Sequence, residues 1–143
     1  MVDNMQFCDI VEEQGVLRFL VRFCGARIVL AYGECNDQFL DDKLPPLLRD
    51  ATLAAYRQTA VSGSPVYTVS QVPDREGKPV SFERLLLPFA RDGINIDRVL
   101  TMLEWVSVEG GFKGDKLLRS QSEAPVYSIC ATIEGIVADT VVL

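Results

Sequence analysis

Two apolar runs separated by Asp92-Gly93 constrain the fold of this chain more than any other stretch. The segment from Phe82 to Trp105 reads FERLLLPFARDGINIDRVLTMLEW. An Asp-Gly pair tolerates the positive φ angles of a tight hairpin turn, so the segment predicts a strand, a tight turn and a second strand. Neither run alternates between apolar and polar residues, which is typical of strands covered on both faces. We therefore expect helices on one face of this hairpin, and another part of the chain or a second copy on the other.

Length and charge restrict the class of protein. The chain has 143 residues and a net charge of -6, without a cluster of basic residues. One domain of this size can bury an ordinary core. The acidic balance argues against a nucleic-acid partner, because such binding depends on Lys and Arg neutralising phosphates. No apolar run approaches the roughly 20 residues of a membrane span, and the N-terminus lacks a signal-peptide pattern, so we expect a cytoplasmic protein without a membrane contact.

The sequence contains no histidine. This excludes Ser-His-Asp and Cys-His catalysis, a His-ligated haem and most catalytic zinc sites. The four cysteines, at positions 8, 24, 35 and 130, fit no zinc-binding spacing. We expect free thiols and no metal site.

Hydrophobic periodicity predicts strands and helices in a definite order. Two strands at the N-terminus, Met5–Val11 and Val16–Cys24, precede a short helix within residues 25–33. A single helical turn capped by Asn36 or Asp37 is expected next. Residues 65–106 then predict a three-stranded antiparallel meander that contains the central hairpin. One antiparallel sheet with helices on one face gives an α+β fold.

The long helix is predicted between Pro45 and Gly63. Proline is tolerated in the first turn of a helix, and glycine commonly ends one. Apolar residues at helical spacing predict its buried face: Leu47, Ala51, Ala54 and Val61, with Leu48, Ala55 and Tyr56 close beside them.

Several short motifs stand out along the chain: RFCGAR at residues 22–27, LPP at 44–46, GSPV at 63–66, FERLLLP at 82–88 and Asp97-Arg98. They resemble those of the PAS sensory family, within a bacterial subfamily of small, often stand-alone domains. The resemblance spans roughly residues 5 to 107. It implies a five-stranded antiparallel sheet with short helices and one long helix on one face, in a PAS-like domain over residues 1–107. Residues 108–143 would form a C-terminal loop and tail that adds a strand or a dimer contact.

The PAS resemblance implies a sensory or regulatory module rather than an enzyme. Such domains commonly bind a small molecule between helix and sheet and commonly form homodimers through the outer sheet face. A chain of one domain would act through a signalling partner. A flavin photoadduct is not expected, because Cys24 does not lie in the N-C-R-F type of helix motif that this chemistry needs.

Five residues are candidate ligand contacts: Arg22, Tyr32, Tyr56, Arg84 and Trp105. An arginine could clamp a carboxylate or phosphate in a bidentate way, and Arg27 and Arg98 share this chemistry. Each candidate also has a structural interpretation, as a salt-bridge arginine, a core tyrosine or a packing tryptophan. Glu83 and Arg84 are neighbours on one strand and point to opposite faces, so one of them must face the helices. A charged group there should be paired or should serve a ligand.

Two other functions remain open at this stage. A small enzyme of a cone-shaped α+β fold would need an acid–base pair from Glu83, Asp97 or Glu104, with an arginine or tyrosine. A structural adaptor would have its pocket filled by side chains. A cavity above about 300 Å³ with convergent polar groups would favour ligand sensing over the adaptor.

Overall fold

Six antiparallel strands form one sheet in the computed structural model, which describes residues 2–74, 76–107 and 127–133. The strands are β1 (Met5–Glu13), β2 (Val16–Cys24), β3 (Val66–Pro73), β4 (Pro79–Phe89), β5 (Arg98–Ser107) and β6 (Tyr127–Thr132). They lie side by side in the order β2-β1-β5-β4-β3-β6. The α+β class with an antiparallel sheet and the meander of residues 65–106 are confirmed. β6 belongs to the C-terminal tail and pairs with β3, and the remaining expectations for residues 108–143 lie outside the described residues.

Three helices connect β2 to β3. They are α1 (Ala26–Tyr32), α2 (Leu40–Lys43) and α3 (Pro46–Ser62), and a 3-10 helix (Val2–Asn4) precedes β1. α3 begins at Pro46 and is closed by Gly63, whose left-handed φ of 65° suits glycine and whose N–H donates to Thr59 O at 3.1 Å. The predicted limits of this helix are therefore confirmed. Within the described residues, no helix combines the length and apolar character needed to cross a membrane.

The helices pack against one face of the sheet, here called the inner face. Buried and half-buried residues alternate along β4 and β5, as expected for strands with one face turned to a core. Phe19 on β2 is fully buried and lies with its ring centroid 5.1 Å from that of Tyr56 on α3. Burying one such side chain contributes about 1.5–3 kcal/mol to stability.

The buried face of α3 agrees in part with the predicted one: Leu48, Ala55 and Tyr56, expected beside that face, are buried, whereas the residues expected at its centre are exposed. Leu47 and Val61 are 47% and 79% exposed, and Ala51 and Ala54 are exposed as well. The buried residues are Leu48, Thr52, Leu53, Ala55, Tyr56 and Thr59. The buried face is therefore offset by one residue from the predicted one, because the bulky side chains among these residues occupy the core. The two threonines are tolerated because each is hydrogen-bonded: Thr59 donates to Ala55 O at 2.9 Å, and Thr52 accepts from Arg84 at 3.3 Å.

The connection between β4 and β5 is longer than the predicted tight turn, because residues 90–97 separate the strands. Gly93 has a φ of 77°, as the Asp-Gly pair suggested, but Ile94 lies in the loop and is 82% exposed. The Asp92 carboxylate organises the loop by accepting hydrogen bonds from the backbone N–H groups of Ile94 and Asn95, both at 2.8 Å. The bonds from Asn95 are the main cause that lowers the pKa of Asp92 to about 2.

The expected side-chain cap of the single-turn helix was wrong. α2 begins after Phe39, which makes no side-chain cap hydrogen bond. Asp37 adopts a left-handed φ of 58° and forms an ion pair with Arg22, so its carboxylate is engaged elsewhere.

The outer face of the sheet carries two adjacent rows of apolar side chains, and it is half-buried rather than covered. Strand register places Phe23, Phe7, Leu100 and Leu87 in one row, and Met5, Met102, Leu85 and Tyr67 in the next. We call these eight residues the outer apolar patch. The prediction that both hairpin faces are buried holds for the inner face alone within the described residues.

Candidate functional site

Arg84 is a buried cation on the inner face. The alternation of β4 turns Glu83 outward and Arg84 toward the helices, where Arg84 is 6% exposed. Its Nη1 donates to Thr52 Oγ1 on α3 at 3.3 Å, and its guanidinium lies 4.9 Å from the ring centroid of Phe82. No carboxylate of the described residues forms an ion pair with it. A buried charge without a counter-charge is costly, so this position calls for an explanation.

Five other arginines of the described residues have the counter-ions that Arg84 lacks. Carboxylate oxygens lie within 3.3 Å of Arg18, Arg22, Arg27, Arg91 and Arg98. Arg22, a predicted ligand contact, is exposed on β2 and is held by Asp9 and Asp37, both at 2.9 Å. Its hydrogen bonds to these two carboxylates raise its pKa above the ordinary value. Arg22 therefore already has its ionic partners and lies apart from Arg84.

A cleft of about 260 Å³ opens between α3 and the sheet beside Arg84. We call it the helix–sheet cleft. Its walls combine small and apolar side chains with hydroxyls, an amide, a thiol and one cation. The lining residues are Leu48, Ala51, Thr52, Ala54, Ala55, Gln58, Thr68, Ser70, Val72, Phe82, Arg84 and Cys130. The volume is just below the 300 Å³ expected of a drug-sized pocket, so any ligand here is small.

One wall of the helix–sheet cleft comes from β6, in the C-terminal tail. Cys130 on this strand is exposed, and its thiol donates to Gln58 Oε1 on α3 at 3.5 Å. The Gln58 amide donates in turn to Thr132 Oγ1. The tail strand is thus joined to the long helix at the edge of the cleft.

The two candidate tyrosines lie in the interior behind Arg84. Burial raises the pKa of Tyr32, at the end of α1, while the charge and hydrogen bond of Arg84 act in the opposite direction. Burial also raises the pKa of Tyr56 well above its ordinary value, and Thr101 Oγ1 donates to its hydroxyl at 2.7 Å. Both phenols are neutral at physiological pH and serve as hydrogen-bonding groups. Neither lines the helix–sheet cleft.

Trp105 packs near the end of β5, and it does not line the helix–sheet cleft. Its ring centroid is 5.6 Å from that of Phe82, and the guanidinium of Arg27 lies 5.3 Å above its ring. Its buried indole Nε1 has no hydrogen-bond partner among the described residues. The structure thus brings Arg84 and Tyr32 together, and leaves Arg22 and Trp105 away from the cleft.

Three cysteines are buried on the inner side and carry free thiols. The sulfur atoms of Cys24 and Cys35 are 2.7 Å apart. Burial is the main cause that raises the pKa of the Cys8 thiol far above its ordinary value, so this thiol is unreactive at neutral pH. No group of three His, Cys, Asp or Glu side chains in the described ranges could hold a metal ion.

A wider groove of about 620 Å³ lies on the outer face and carries part of the alternative acid–base set. Glu83 and Glu104 are cross-strand neighbours there, and Arg27 lies 3.3 Å from Glu104. Asp97, the third candidate acid, lies in the loop before β5 and forms an ion pair with Arg91. Asp97 therefore lies apart from Glu83 and Glu104, whereas Glu104 has an arginine beside it.

Sequence reasoning missed most of the cleft lining. Thr52, Thr68 and Gln58 gave no signal, because polar residues on a helix or strand are ordinarily assigned to solvent. Cys130 lies in the tail, which was expected to add a strand or a dimer contact but not a wall of the cleft. The spacing of Thr52 and Thr59 on α3 was the one available hint, since hydroxyls two turns apart mark a single helix face.

Comparison with known proteins adds no assignment: no protein-family model matches the chain, and a search of curated proteins finds no match.

Proposed function

We propose that this chain is a sensory or regulatory module of the PAS type. It binds a small molecule in the helix–sheet cleft, forms a homodimer through the outer sheet face and passes its signal to a protein partner. It has no catalytic activity of its own.

The order of the elements supports the PAS assignment. Two strands, two short helices, one long helix and three strands follow one another along residues 5–107, as the resemblance implies. The helices lie on the inner face and leave the opposite face available to a partner. The sixth strand is an addition from the tail.

The single observation that carries ligand binding is the environment of Arg84. A guanidinium that is 6% exposed, bonded to a hydroxyl and free of carboxylate partners among the described residues lies at the wall of a cleft. Buried charges in proteins are normally paired. A ligand that enters the helix–sheet cleft would supply the missing partner.

The outer apolar patch supports a homodimer. Side chains from five strands form one continuous, partly exposed surface, and Phe23 at its end is 41% exposed. Charged residues border it on both sides: Glu83 and Glu104 on one side, and Asp9 and Arg98 on the other. An apolar centre with a polar rim is the usual anatomy of a protein interface.

A ligand-free adaptor is the second candidate, and the size of the cleft favours it. The helix–sheet cleft has a volume of 260 Å³, which falls short of the roughly 300 Å³ that would favour ligand sensing over an adaptor. In an adaptor, Arg84 would be a structural residue satisfied by Thr52, Tyr32 and water.

Native mass spectrometry of freshly purified protein, before and after denaturation, tests the proposal. A dimer that carries a discrete extra mass, lost on denaturation, is the expected result. A dimer without extra mass would favour the adaptor, provided that the Arg84→Gln variant binds small molecules no differently from the unmodified protein. A monomer at all concentrations would contradict the dimeric part of the proposal.

A further inference from the structure

We infer that the helix–sheet cleft accepts a small monocarboxylate with an apolar body, whose carboxylate is held by Arg84 and Thr52. This inference rests on the proposed function, since it names the chemical class of the molecule that the cleft senses.

The charge of the cleft calls for one negative charge. Arg84 is the one cation that lines it, and no Asp or Glu is among the lining residues in the described part of the chain. A monoanion neutralises the buried guanidinium. A phosphate dianion would leave an uncompensated negative charge in a partly desolvated cleft of a chain with net charge -6, which is unfavourable.

The donors at the cleft fit a carboxylate. A guanidinium carries five N–H donors in a planar fork, and Thr52 accepts at Nη1 of Arg84, so donors remain for a planar two-oxygen acceptor. The Thr52 hydroxyl accepts from Arg84, and its own proton is then directed to another acceptor. Thr59, two turns further along α3, instead donates its hydroxyl proton to Ala55 O at 2.9 Å. Arg84 and Thr52 together thus present N–H and O–H donors toward the same space.

The remaining wall suits an apolar body of small size. Ala51, Ala54 and Ala55 leave space along α3, while Val72 and Phe82 provide apolar contact from the sheet. At about 30 Å³ per water, the 260 Å³ volume corresponds to roughly nine waters. A short alkyl or single-ring acid fits this space, and its release of waters from apolar walls favours binding.

Isothermal titration calorimetry with the full chain tests the inference. The probes are butanoate, octanoate and benzoate, each paired with its primary amide, and octyl phosphate as a dianion of matched tail. At least one acid is expected to bind, with its amide weaker by about tenfold or more, because the amide forfeits the charge-assisted bonds to Arg84.

Variants separate the site from a general effect of charge. Arg84→Gln is expected to abolish acid binding, and Arg84→Lys to weaken it, because an ammonium keeps the charge but loses the fork. Thr52→Val keeps the shape of the side chain and is expected to weaken binding severalfold. Arg57→Gln removes an exposed charge from the same helix and should leave binding unchanged. Circular dichroism verifies that each variant is folded.

Three outcomes would overturn the inference: equal binding of acid and amide, tighter binding of octyl phosphate, or no binding by any probe. These are distinguishable from failure of the proposed function. A neutral or dianionic molecule retained in native mass spectrometry would keep ligand sensing and remove the monocarboxylate. A protein that retains nothing and binds no probe would count against both.

Discussion

Arg84 differs from the neighbouring arginines in what surrounds its charge. Arg22 and Arg98 have carboxylate partners near the surface, where water and salt also screen them. Arg84 is buried among helices, with hydroxyl partners and an aromatic ring. If Arg84 serves a ligand, its buried charge has no counter-charge in the ligand-free protein and lowers the stability of that state.

Arg84→Met is therefore expected to stabilise the ligand-free protein, by about 1–2 kcal/mol, because it removes a buried uncompensated charge and keeps the length of the side chain. Chemical denaturation measures the free energy of unfolding. The matched control is Arg22→Met, which removes an exposed arginine with two ion pairs and should leave the free energy of unfolding close to that of the unmodified protein, because exposed ion pairs contribute little to stability. A loss of stability above about 2 kcal/mol in Arg84→Met would make Arg84 a structural residue.

At the scale of elements, close contacts decide details that propensities leave open. Gly25 ends β2 and precedes α1 with an ordinary φ of -65°, so its backbone conformation does not require glycine. The lack of space requires glycine here, because a Cβ at this position would lie 2.4 Å from the carbonyl oxygens of Val2 and Asp3. The Gly25 N–H also donates to Met5 O at 2.8 Å. The 3-10 helix before β1 is thus packed directly on the β2–α1 junction.

Gly25→Ala is expected to destabilise the protein by about 1–3 kcal/mol, because the added methyl group meets backbone rather than a flexible side chain. Urea unfolding monitored by Trp105 fluorescence would measure the loss. In a chain that lacks residues 1–3, the same substitution should cost much less, since the contacting carbonyls are gone. Equal costs in the two backgrounds would refute the close-packing argument.

At the scale of the whole molecule, the two faces of the sheet have different tasks. The inner face builds the core and the helix–sheet cleft, whereas the outer apolar patch is the surface through which we propose that a second copy binds. β6 joins the edge of the sheet to the long helix, because it pairs with β3 and its side chains reach α3 through Gln58. Occupation of the cleft and the position of the tail strand are therefore physically connected.

Leu87→Glu is expected to dissociate the proposed homodimer, weakening it about 100-fold or more, because a carboxylate would be buried within the outer apolar patch. Sedimentation velocity over a range of protein concentrations measures the change. Val61→Glu is the control, since Val61 on α3 is 79% exposed and lies on the opposite side of the sheet. A Leu87→Glu variant that dimerises like the unmodified protein would exclude this face as the interface.

Much of the architecture was readable from local sequence. Val16–Cys24 and the limits of α3 followed from alternation, from proline at a helix start and from glycine at its end, which are properties of a few neighbouring residues. The prediction of a tight turn after β4 was wrong, because the Asp92 carboxylate stabilises a longer loop than the Asp-Gly pair suggests. The sequence predicted that either Glu83 or Arg84 faces the helices, because side chains alternate along a strand, but it did not predict which of the two.

The sequence by itself therefore determined the α+β class, the order of the elements and the presence of one charge inside, because each depends on short-range periodicity. The tertiary structure alone decided that the charge is Arg84, that α3 buries Thr52 rather than Ala51, and that the tail strand forms a wall of the cleft. These features depend on contacts between residues far apart in the chain, such as Arg84 with Thr52 and Cys130 with Gln58. Which side chains fill the same space is a property of packing that no local pattern encodes.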